Sequence, residues 1–209
     1  MMYRQLALVA LTLGLCGCAA TKLKQTWKAP DYAGGPAQKI AVLAVDDRGQ
    51  YRHSVESHFG HQLQQRGQSV FLTYDFLDLP AIKADKDAAA KTLRERGADT
   101  VLIVRLVSST YAATQTEATP SRFVSTIDGY DYNNWYGCYS VAFTDMGTVW
   151  NDTQTKVRLE TSLFDLKTER RIWTGITQTM VREQTDRIEE LSKVVSKVIA
   201  AMHRDGMVR

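Results

Sequence analysis

Two hydrophobic rhythms divide this chain. Lys39 to Val45 (KIAVLAV) and Thr100 to Val107 (TVLIVRLV) are nearly continuous apolar runs rich in branched residues. That is the pattern of strands buried on both faces. Between them, Tyr51 to Arg66 places Val55, Phe59 and Leu63 on one helical face and stops at Gly67. Ser69 to Tyr74 (SVFLTY) reads as a second strand. After a break at Pro80, Asp85 to Arg96 reads as an alanine-rich helix closed by Gly97. Strand, helix, strand, helix, strand at this spacing predicts parallel neighbours joined by right-handed crossovers.

Further on the period shortens to two. Val157, Leu159, Thr161 and Leu163 alternate with other residues along Lys156 to Leu166. The polar break Lys167-Thr168-Glu169-Arg170 leads into Ile172, Thr174 and Ile176, and the pair predicts an antiparallel hairpin added to the sheet. A last helix over Asp186 to His203 shows Ile188, Leu191, Val195, Val198 and Met202 on one face, with Gly206 just beyond. The expectation is an α/β fold in β-α-β-α-β-β-β-α order: one mixed sheet of about five strands with about three helices, spanning residues 39–209. No internal repeat is visible.

Residues 111–150, between the third and fourth expected strands, follow neither rhythm. They hold nine of the nineteen aromatic residues, among them Tyr130, Tyr132, Trp135, Tyr136 and Tyr139, interleaved with Gly129, Asn133, Asn134 and Gly137. An insertion of this length is functional or loosely ordered. Tyrosine and tryptophan among small polar residues add contact area at little entropic cost. The segment is therefore a candidate surface for a protein, a glycan or a second copy of the chain. The competing reading is that its aromatics fold back over an open face of the sheet.

The amino terminus carries an address. Arg4 precedes the apolar stretch Leu6 to Leu15, and Gly17 then offers a small residue for cleavage, which is the layout of a secretory signal peptide over residues 1–17. Ten residues are too few for a permanent span. With Cys18 directly after Gly17, the segment resembles the lipobox of bacterial lipoproteins. An ordinary signal peptide that happens to hold two cysteines is the alternative, and Cys16 is the poorer acceptor because bulky Leu15 precedes it. The resemblance implies a diacylglyceryl thioether on Cys18 and an acylated, for instance palmitate-bearing, amino group. Ala19 is not the aspartate that resembles an inner-membrane retention signal, so the implied location is the outer membrane, facing the periplasm. Residues 18–38, with Pro30, Gly34-Gly35-Pro36 and three lysines (Lys22, Lys24, Lys28), read as a lipidated, flexible tether. Its lysines are either solvated linker charge or contacts to anionic head groups.

Removing the signal leaves about 190 residues, enough for one domain with its own core. The whole chain has 26 basic and 23 acidic residues, a net charge of +3, which is no nucleic-acid footprint. Cys138 is the single cysteine left for the mature domain. It is either a buried small hydrophobe or a partner for another chain. His53, His58 and His61 suggest a metal, but only His58 and His61 share a helical spacing, and Glu56 projects away from them. Solvated helix histidines are the simpler expectation. Asp46 and Asp47 end the first buried strand, where open α/β sheets bind ligands. A turn with a helix-capping acid accounts for them as well. Arg52 and Glu56 are expected to form a surface pair. The aspartates of Asp128-Gly129-Tyr130-Asp131 lack calcium-loop spacing, and no nucleophile motif, catalytic residue or cofactor signature is recognised.

Several features occur together: Trp27 with Pro30, the KIAVLAV strand, the Arg52/Glu56 helix start, GADTVLIVRL, and LFDLKTERRIWTG followed by a terminal helix. Together they resemble a group of bacterial envelope lipoproteins of unknown function. The element order is also similar to the amino-terminal domain of TolB and to periplasmic lipoprotein activators of cell-wall synthases. Fold alone does not fix function. The leading expectation, from the aromatic excursion and the lack of a recognised catalytic motif, is a non-enzymatic interaction or assembly module held to the membrane by lipid, with an envelope protein or glycan as partner and self-association as an option. The alternative is a small-ligand or metal-binding periplasmic domain whose pocket lies at the carboxyl ends of the parallel strands.

Overall fold

The computed structural model describes residues 21–46, 48–111, 154–182 and 187–209. Cys18, Asp47, Cys138 and the aromatic candidates Tyr130, Tyr132, Trp135, Tyr136 and Tyr139 lie outside the described residues.

The buried runs form the centre of one open sheet. Strand β2 (Lys39–Val45) is followed by helix α1 (Gly49–Gln64), β3 (Ser69–Leu72), a 3-10 turn (Thr73–Asp75), α2 (Leu79–Ala84), α3 (Lys86–Glu95) and β4 (Thr100–Tyr111). Then come β5 (Gln154–Asp165), β6 (Arg171–Arg182) and α4 (Arg187–Arg204), while β1 (Lys22–Lys28) precedes them all. The strand order is β1-β6-β5-β4-β2-β3, so the described residues hold six strands and four helices in a mixed α/β arrangement. As the spacing predicts, β2 pairs in parallel with both β3 and β4. The hairpin β5–β6 continues the sheet antiparallel from β4.

Two differences from the sequence expectation matter. Lys22–Lys28, read as tether, is an edge strand whose Lys22 to Lys28 register runs antiparallel against Gln178 to Trp173 of β6. It also raises the strand count from five to six. Its exposed lysines and the irregularity between Leu23 and Gln25 suit an edge that must not recruit another strand. The stretch around Pro80 is a six-residue helix, with Pro80 in its first turn rather than acting as a break.

The central strands β2 and β4 are covered on both sides. Ile40, Val42, Leu102, Val104, Leu163 and Trp173 face α1 and α4, packing on Phe59, Leu63, Val195, Val198 and Met202. Ala41, Leu43, Val101, Ile103 and Phe164 face α2 and α3, packing on Leu79, Ile82, Ala90 and Leu93. This is why β2 and β4 read as unbroken apolar runs. Gly67 and Gly97 both adopt positive φ (77° and 84°) and end α1 and α3, a conformation that glycine adopts without a Cβ penalty. The chain's last residues close the base: Met207 and Val208 are buried, and the Met207 carbonyl accepts from the Ala37 amide at 2.9 Å.

Candidate functional site

Because β4 and β6 run one way and β5 and β1 the other, a single end of the sheet gathers several features. The carboxyl ends of β2, β4 and β6, the start of β5 and the start of β1 all lie there. Helices α1 and α4 begin at this end and leave a groove between them. Its floor is Leu106, Val157, Leu159, Thr179 and Val181, and its walls are Tyr51, Val55, Ile188, Leu191 and Val194. The cavity volume is about 210 Å³ and the lining is overwhelmingly apolar. Ile188, on its rim, is 64% exposed, the large hydrophobic side chain with this degree of exposure among the described residues.

Polar groups ring the mouth and are tied to one another. Asp46 accepts from the Arg48 amide at 2.9 Å and from its guanidinium at 2.8 and 2.6 Å. The Arg48 guanidinium also lies 4.3 Å from the centre of the Tyr51 ring, a cation–π distance. Arg187 donates to the Tyr51 hydroxyl at 3.1 Å, linking the first turns of α4 and α1. Asp46 therefore does not cap α1. The residue at that position is Arg48, without a side-chain cap, and Asp46 instead closes the turn ahead of it.

Thr21 ties the start of the described chain to the same end. Buried at 7% exposure, its hydroxyl shares a 2.9 Å hydrogen bond with that of Thr179 and donates to Glu190 at 3.3 Å. Both partners line the groove.

Two buried ionic clusters stand apart from the groove. Glu56 is fully buried rather than part of a surface pair. Its carboxylate accepts from the Ala44 amide (3.1 Å), Arg52 Nε (2.9 Å), the Thr73 hydroxyl (3.0 Å) and the Tyr74 amide (2.8 Å). Arg52 in turn donates to the Leu77 carbonyl at 2.9 Å. The 3-10 turn and the segment after it fold over the pair, which a spacing of four residues alone does not foretell. Burial pushes the Glu56 carboxyl above its ordinary pKa, against the pull of Arg52. Arg105 and Glu160, directly opposite on β4 and β5, form the second cluster. Arg105 donates to Glu160 at 2.7 Å, Ser162 donates to the other carboxylate oxygen at 3.0 Å, and Ser162 and Thr174 share a 2.9 Å bond. Both clusters have their charges bonded within the protein, linking the sheet to α1 and the turn in one case and joining β4, β5 and β6 in the other.

The three helix histidines do not converge. His53 stacks on Tyr74 at 4.2 Å, His58 Nδ1 lies 2.8 Å from the Ser54 carbonyl, and His61 Nε2 lies 2.9 Å from Gln65 Nε2. The sequence points to the carboxyl ends of the parallel strands, beside Asp46, as a place for a ligand, and the groove lies there; what it does not reveal is the apolar lining contributed by β5, β6 and α4.

No family model matches the chain, and no curated protein matches it by sequence. By structure it is similar to the PelC dodecamer from Paraburkholderia phytofirmans: TM-score 0.50 at 12% identity, covering 91% of this chain and 99% of that one. It is also similar, at a TM-score of 0.41 and 16% identity, to the lipoprotein GNA1162 from Neisseria meningitidis, over 80% of this chain and 99% of that one. At this identity the likeness to PelC shows a shared mixed α/β fold.

Proposed function

We propose that this protein is a lipid-anchored outer-membrane lipoprotein whose periplasmic α/β domain is a non-enzymatic interaction or assembly module of the cell envelope. The observation that carries the reading is how close in sequence to Cys18 a packed residue lies. Thr21 is already buried against Thr179 and Glu190, so only Ala19 and Ala20 separate it from Cys18. Three residue steps reach about 10 Å at most. A lipid on Cys18 would hold the groove end of the domain close to the membrane. The ionic clusters described above support a scaffold rather than a reaction centre, since their charges are bonded internally. The PelC chain of similar fold is a dodecamer, and self-association of this chain belongs to the same proposal.

Fractionating cells that express the Cys18→Ser protein tests the anchor. It should leave the membrane pellet and keep an altered amino-terminal mass; unchanged processing and membrane retention would refute it. Light scattering on the purified lipidated protein reads self-association, and crosslinking from positions 130–139 in intact cells captures the partner. A second reading, a small-ligand domain, is favoured by the groove at the carboxyl ends of β2 and β4. Its lining suits an apolar ligand, and a thermal shift lost in Leu159→Asp would support it.

A further inference from the structure

The groove lies beside the start of β1, and what would enter it follows from that neighbourhood. We propose that it holds an acyl chain attached to Cys18 itself; this rests on the lipidation of Cys18 proposed above. Thr21 is pinned to Thr179 and Glu190, both groove residues. Cys18, three residues upstream, is thus within about 10 Å of the groove's edge. Inside the polar rim that includes Thr179 and Glu190, the groove is lined mainly by hydrocarbon: Val55, Leu106, Val157, Leu159, Val181 and Leu191. A dry apolar cavity of roughly 150 Å³ already accepts benzene, and this one, at about 210 Å³, takes a run of several methylenes.

The chemistry of the anchor decides which chain enters. Stable membrane attachment takes two hydrocarbon chains, and the diacylglyceryl thioether supplies both. The amide-linked chain on the Cys18 amino group is the third. It is joined to the peptide itself, nearest to Thr21. Moving it from bilayer to groove exchanges one apolar surrounding for another, so little transfer energy opposes it. The result is a domain fixed in orientation on its anchor instead of swivelling about it.

The test uses cells fed a fatty acid that carries a mid-chain diazirine and a terminal alkyne. Full-length lipidated protein is irradiated in membranes, digested, and its crosslinked peptides are mapped. The expected product joins the Cys18 peptide to β5, β6 or α4 peptides containing Leu159, Val181 or Leu191. It should disappear in Leu191→Trp, which fills the groove from a half-buried wall position, while circular dichroism confirms an intact fold. Incorporation at Cys18 with crosslinks only to lipid, to residues 112–153 or to another copy overturns the groove assignment. So does a groove peptide that carries a phospholipid mass alone. Failure of the label to incorporate at Cys18 overturns the lipid anchor and this inference together. The presence or absence of incorporation separates the two failures.

Discussion

Arg52 and Glu56 are one helical turn apart and 2.9 Å from each other, yet the carboxylate is wholly removed from solvent. Removing one partner of a buried pair leaves the other uncompensated, at a cost of about 3–5 kcal/mol. Arg52→Met should therefore lower stability by that order at neutral pH. Burial holds the Glu56 pKa above its ordinary 4.5, so the folded state keeps this proton at pH values where the unfolded chain has released it. Between 4.5 and the folded-state pKa, stability falls as pH rises. Taking Arg52 away removes a group that lowers this pKa, so the deficit of Arg52→Met should shrink on acidification. Urea denaturation at pH 5 and pH 8 measures it; an equal deficit at both would contradict this account.

The Arg105–Glu160 pair lends itself to a double-mutant cycle. Side chains 1% and 0% exposed make either single change, Arg105→Met or Glu160→Leu, destabilising by several kcal/mol. The double variant should recover a large part of that loss, because apolar residues of similar volume replace both charges. Additive losses in chemical denaturation would mean that the two side chains do not act as a unit.

Gly175 sits under an indole. A Cβ there would overlap the six-membered ring of Trp173, which is fully buried and whose Nε1 donates to Asp205 at 2.8 Å. Gly175→Ala should cost about 1–3 kcal/mol by overpacking. Near-ultraviolet circular dichroism should change with it, since the ring cannot stay where it is. Unaltered spectra and stability would show that the indole has room to move.

Tyr111 and Thr155 are register partners across β4 and β5, so the two ends of residues 112–153 emerge side by side. Deleting residues 117–148 leaves a connection long enough to close that gap. If the aromatic segment is a contact surface, the shortened protein should keep its cooperative unfolding and lose partner capture. Loss of folding would assign the aromatics to covering the sheet.

What the sequence reveals depends on how locally each feature is encoded. The runs KIAVLAV and TVLIVRLV announce burial on two faces because every residue in a doubly covered strand is apolar. The helical stripe of α1 and the alternation in β5 are just as local. By contrast, β1 has the sequence KLKQTWK, with an exposed, lysine-bearing face; its strand character comes from β6, not from itself. The burial of Glu56 depends on the turn at Thr73 and Tyr74 folding over α1, seventeen and eighteen residues away. Arg105 inside TVLIVRLV was a readable signal: a charge in a buried run needs an opposite charge beside it, and Glu160 on the alternating strand supplies one. The place of the groove is legible, at the carboxyl ends of the parallel strands beside Asp46, but its lining is not, because two helix starts and three strand ends supply it.

The placement of β1 also has a mechanical consequence. A pull on the chain ahead of Thr21 would meet its bonds to Thr179 and Glu190 first, at the groove end of the sheet, and then run along the strand axis from Lys22 toward Lys28. Force in that direction loads the β1–β6 hydrogen bonds side by side, in shear, instead of opening them one at a time like a zipper. An edge strand otherwise held only along one side thereby becomes a strap, and its resistance to detachment grows with the number of ladder bonds it makes.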